Sequence, residues 1–160
     1  MKEIFQEEEW ALLCETPAIV LNVVGGADGK IDKKEIEAFE HFAKRKNAFA
    51  SQLFNHILPE NPELSIETTI QKKYDKSELK EKLRSVDNIL DNKVDEIDAK
   101  LFKHHLIALG AHIANASGKM FSDKISEEES DSMVLLGKYL DVDVNHLFRS
   151  TLIDEILKKL

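Results

Sequence analysis

VVGGADGKIDKKE, residues Val23–Glu35, decides how the rest of the chain is read. Two valines running into two glycines look like a strand entering a phosphate loop, and Gly29-Lys30 looks like the end of such a loop. Asp28-Gly29-x-Ile31-Asp32-x-x-Glu35 looks like the second half of a calcium-binding EF-hand loop. The same letters also describe one helix stopping and another starting. Each reading makes a demand that can be counted.

A P-loop needs G-x-x-x-x-G-K-[ST]. Counted back from Gly29-Lys30, the first glycine falls where Val24 stands, and the magnesium-binding hydroxyl falls on Ile31. The dinucleotide pattern G-x-G-x-x-G fails because Gly25 is followed two residues later by Ala27. For an EF-hand, Glu35 at position 12 puts Asp32, Ile31, Gly29 and Asp28 in register. Positions 1 and 3 then fall on Val24 and Gly26, which carry no side-chain oxygen, whereas calcium requires six to eight oxygens. A helix–turn–helix corner uses nearly every letter. Gly29 supplies the left-handed residue that closes a helix end. Asp32 is an N-cap with Glu35 three residues on, an Asp version of the capping box, and Ile31 and Ile36 stand where a hydrophobic staple joins them. Only Asp28 is left over.

Outward from this corner the periodicity is helical. Ile36, Phe39, Phe42 and Ala43 continue one buried stripe. Leu79, Leu83, Val86, Leu90, Val94, Ile97 and Leu101 form another, with Asp91-Asn92 a candidate break. Its spacing suits the core, and also a partner helix or a dimer interface. Met133, Leu136 and Leu140 follow, then Val144, Leu147, Phe148, Ile153, Ile156, Leu157 and Leu160, with Ser126/Glu129 a capping box and Asp143 an N-cap. Two segments, Ala18–Val24 and Leu106–Ala116, are apolar nearly all round, as central helices are. Thr16-Pro17 predicts the start of the first, with proline at the first helical position. Residues 58–63, with two of the three prolines, read as a linker. These signals predict an all-α single domain over residues 1–160, of about seven to eight helices.

Composition bounds the function. A chain of 160 residues buries about 70% of its unfolded surface, so it needs no staple. The single Cys14 forms no internal disulfide, which fits a reducing compartment. Met1–Glu9 is acidic and lacks the plan of a signal peptide, and no stretch is expected to reach the roughly 18–20 apolar residues that a span requires. A cytoplasmic protein is expected. The net charge of -8, from 22 basic and 30 acidic residues, argues against nucleic acid as partner. The one basic cluster, Lys44-Arg45-Lys46, reads as cations at a helix end.

The corner has an echo. Ala27-Asp28-Gly29 follows one apolar helix, and Ala116-Ser117-Gly118 follows another. Ile31-Asp32-Lys33-Lys34-Glu35 compares with Ile125-Ser126-Glu127-Glu128-Glu129, the second corner carrying five more residues. The reading is of two pseudo-repeated helix–corner–helix units, about 10–55 and 100–158, around a charged helical insert of about 60–100.

On these paired corners the chain resembles the TerB-like tellurite-resistance family. The resemblance implies a compact, acidic, all-helical protein linked to resistance to tellurite and other stresses, acting through metal sensing or membrane-associated complexes. It carries over no catalytic residue. The family's corner acids correspond to Asp28, Asp32 and Glu35, while Ser117 stands at the matching acid of the second half. The expected metal residues are therefore Asp28, Asp32 and Glu35, with Asp123 and Glu129 completing the set around a divalent cation.

Of the six histidines, His105 and His112 are seven apart and share a helix face, but no Glu-x-x-His or His-Glu-x-x-His pattern exists. They read as packing or hydrogen-bonding residues. Cys14 beside Glu15 is a poor nucleophile. Ser117 and Ser122 near Asp123 read as turn formers, and Glu127-Glu128-Glu129 as a first helical turn. The leading expectation is a non-enzymatic protein of TerB-like, tellurite- or stress-resistance type that binds a protein partner or a divalent cation. The first alternative is a metal-free interaction module whose corner acids are helix caps, and the second is a hydrolase using a carboxylate pair.

Overall fold

The helix entering the opening stretch starts well before Thr16-Pro17. In the computed structural model, which describes residues 1–60, 62, 66–67, 72, 74–116 and 127–149, helix α1 runs Glu7–Val24 and passes through Pro17. Its start is set instead by Gln6, whose backbone N–H donates to Glu9 Oε2 at 2.7 Å. Proline inside a helix leaves the carbonyl four residues back without its donor and strains the preceding turn. Beside that gap, the Thr16 hydroxyl donates to the Leu12 carbonyl at 2.9 Å. Burial of Leu13 and of Ala18 through Leu21 offsets the proline penalty.

After α1 a single 3-10 turn covers Gly25–Asp28, and Gly29 takes φ 93°, the left-handed conformation expected of it. Helix α2 then runs Lys33–Ala43 and buries Ala38, Phe39, Phe42 and Ala43. Helix α3, Gln52–Ile57, ends at the predicted linker. Its N-terminal amides are covered by Ser51, whose Oγ accepts from Phe54 N at 3.0 Å, and by Asp98 from a distant helix, whose carboxylate accepts from Gln52 N and Leu53 N at 3.0 and 3.2 Å.

The stripe over 79–101 breaks, but at Val94-Asp95 rather than at Asp91-Asn92: α4 is Lys76–Lys93 and α5 is Glu96–Ala116. Leu83, Val86 and Leu90 of the stripe are fully buried, so it serves the core, whereas Ile97 is 71% exposed. Helix α6, Glu127–Tyr139, and helix α7, Val144–Arg149, close the described chain. Between them Val142 N donates back to the Gly137 carbonyl at 2.9 Å while Asp141 takes φ 50°. That is a Schellman corner with aspartate in the left-handed position. Asp143 caps α7 as predicted, accepting from His146 N at 3.0 Å.

The described residues hold seven α-helices and no strand. Helices α1 and α5 are central, as their all-round apolar sequences imply. α5 is covered by α1, α2, α3 and α6, and α1 also packs on α4 and α6. Gly110 lies at a three-helix approach, where an added Cβ would sit 3.0–3.3 Å from Met133, Leu136 and Val24. Contrary to the expectation from sequence, Glu7–Ala27 is by length and composition apolar enough to cross a membrane, because the helix runs on through Pro17; 56% of its apolar window is buried inside the fold, as in a core helix. The first helix–corner–helix unit stands as α1, turn, α2. The corner of the second, including Ser117, Ser122, Asp123 and Ser126, lies outside the described residues.

Candidate functional site

The acid corner is built by two helix ends. Asp32 Oδ1 accepts from Glu35 N at 2.9 Å, and Glu35 Oε2 accepts from Asp32 N at 2.8 Å, a reciprocal capping box at the start of α2. Two acids here also complement the positive end of the helix dipole. Ile31 and Ile36 lie half-buried against the core, at the staple positions. Glu35 is 2% exposed and faces the end of α1, where a Cβ added at Gly25 would stand 3.3 Å from Glu35 Oε2. Glycine at 25 is therefore a matter of space, which sequence alone did not assign. Of the five expected metal residues, the structure joins Asp32 and Glu35 as caps. The turn carrying Asp28 packs against α6, the helix whose first turn contains Glu129. Among the described residues no three His, Cys, Asp or Glu side chains gather as a metal-holding group.

The histidines divide by environment. His105 is 2% exposed, with Nδ1 2.5 Å from the Leu101 carbonyl and its ring against Phe49 and Phe54 at 5.2 Å, so it packs as the sequence predicts. His112, on the same face, instead meets His41 of α2 at 5.7 Å between ring centres and Phe42 at 5.9 Å. Burial and the neighbouring His41 push the His112 imidazolium below its ordinary pKa. The Cys14 thiol is pushed up by partial burial, the opposite of what a nucleophile needs.

A cavity of about 810 Å³ lies between the α4–α5 junction and the α6–α7 corner. Asp91, Glu96, Asp141 and Asp143 line it, together with Lys103, His104 and His146. With these acids it is, among the described residues, a place where a carboxylate pair could be sought. Asp143 is committed to capping, and Asp91 accepts from Lys103 Nζ at 2.8 Å. His104 Nδ1 is buried without a hydrogen-bond partner, and burial lowers the pKa of that ring. Lys103 is itself buried and also pairs with Asp87 at 2.5 Å. Burial alone would lower the Lys103 pKa, but its hydrogen bonds to Asp87 and Asp91 outweigh that and raise it.

A second cluster tethers the charged middle to α1. Glu15 accepts from Lys72, from the Tyr74 hydroxyl and from Lys82 at 2.9 Å. Burial would raise the Glu15 pKa, but these three donors hold the carboxyl down at about 2. Burial and the bond to Glu15 push the Tyr74 phenol up to about 12. A depressed carboxylate stabilises the fold above its ordinary pKa of 4.5 and loses that contribution as pH falls toward about 2. Glu15→Gln is expected to cost about 1 kcal/mol at pH 7, solvent screening having reduced the full effect. Denaturant titrations should show wild type and variant converging at pH 2, and parallel curves at all pH values would contradict the cluster.

Compared with protein-family models, curated proteins and solved structures, the chain finds no match in any of the three.

Proposed function

We propose that this chain is a non-enzymatic, TerB-like binding module of the stress- or tellurite-resistance type, which acts through contact with a protein partner and uses its corner acids as helix caps. The observation that carries this reading is the reciprocal capping box. Asp32 and Glu35 direct oxygens at each other's backbone amides at 2.9 and 2.8 Å, which is the work the corner needs for folding. A surface for a partner is available where Met1, Ile4 and Ile97, respectively 41%, 54% and 71% exposed, flank a groove of about 460 Å³.

The second reading, a divalent cation at the corner, is favoured by the packing of the Asp28 turn against the helix that carries Glu129. Asp28 separates the two, because capping does not need it. Under the module reading Asp28→Asn is expected to shift the melting temperature by less than about 1 °C, because the capping box at Asp32 and Glu35 does not use Asp28. Under the same reading, calorimetric titration of wild type with calcium and magnesium is expected to give no heat. Heat from either ion that disappears in Asp28→Asn would instead establish the cation site and sink the capping-only account.

A further inference from the structure

We propose a second cation site, independent of the corner acids and of the module reading, in which His41 of α2 and His112 of α5 chelate a borderline divalent ion such as zinc or nickel. The two rings lie 5.7 Å apart between centres with their planes 33° apart. A zinc ion bound about 2.1 Å from an imidazole nitrogen lies about 3.2 Å from the ring centre. Two rings at the observed spacing, each turning a nitrogen inward, then subtend an angle of about 120° at the ion, open enough for a tetrahedral or trigonal arrangement. The two helices that carry the rings, α2 and α5, pack against each other.

The surroundings suit the ligand chemistry. Imidazole binds zinc, nickel and copper, and binds in its neutral form. The Phe42 ring lies beside His112 at 5.9 Å, tilted by 47°, which limits where the imidazole can turn. His41 is exposed, so the remaining coordination positions open to water. With no third protein ligand gathered beside the two rings among the described residues, water fills the other positions. Calcium and magnesium prefer oxygen ligands, so the identity of the ion separates this site from the corner.

The test is thermal unfolding of the full chain at pH 7.5 with zinc or nickel at about 0.5 mM. The melting temperature is expected to rise by about 5 °C in wild type, His56→Ala and His146→Ala. The rise should vanish in His41→Ala, which alters an exposed side chain and leaves the fold intact, and should vanish in wild type at pH 5, where protons compete for the imidazoles. His112→Gln should behave as His41→Ala does. No rise in wild type with either ion, a rise retained by His41→Ala, or a rise that persists at pH 5 would each overturn the site.

Discussion

Replacing Gly137 by alanine is expected to lower stability by about 2 kcal/mol, although alanine is the better helix former by about 1 kcal/mol in an open helix. The added Cβ would stand 2.1 Å from Val144 Cγ2 and 2.7 Å from the Val142 carbonyl oxygen. The first contact involves a side chain that is 7% exposed, and the second is backbone. Neither yields without reopening the corner where Val142 N donates to the Gly137 carbonyl. The melting temperature should fall by about 4–8 °C. Gly137→Ala with Val144→Ala should recover less than the side-chain clash implies, because the carbonyl contact persists. A variant more stable than wild type would mean that α6 and α7 meet differently.

Lys103→Met should be the more damaging change, costing about 3 kcal/mol, because it leaves a carboxylate facing a desolvated wall. Asp87 is 22% exposed at its side chain and meets Lys103 Nζ at 2.5 Å, while Asp91, at 58%, has water as an alternative. The double variant Lys103→Met, Asp87→Asn should therefore recover part of the loss, and Lys103→Met with Asp91→Asn little of it. The alkaline limb gives a second check. The Lys103 pKa is raised above its ordinary 10.5, so its contribution is present below that value and is lost as pH rises through the folded one. Wild type should lose stability on this limb and Lys103→Met should not. Equal stability of Lys103→Met and wild type at pH 7 would show that the buried pair contributes nothing.

Much of the corner was legible because its chemistry is local. Gly29, Ile31, Asp32, Glu35 and Ile36 lie within eight residues, and capping geometry is fixed by φ, ψ and sequence offset. Asp143 was legible for the same reason. The start of α1 was not. Thr16-Pro17 has the form of an N-terminus, and Gln6 with Glu9 is a less familiar cap, so the local signals favoured the wrong boundary while tertiary burial carried the helix through Pro17. The break in the long stripe was displaced by a few residues because Asp91 and Asn92 are tolerated inside a helix that ends on core packing at Leu90 and Val94.

The all-helical class, the two central helices, the corner and the acids that cap it are written in the linear order of residues. These follow from periodicity and from bonds spanning three or four residues, which a linear chain displays directly. Which long-range partners meet is set by how the helices pack. Asp98 covers the start of α3, Lys103 turns back to Asp87 and Asp91, Glu15 gathers Lys72, Tyr74 and Lys82, and His112 faces His41 rather than His105. Each of these depends on the rotation of one helix against another. Side-chain packing across the whole core fixes that rotation, and no short stretch of the chain encodes it.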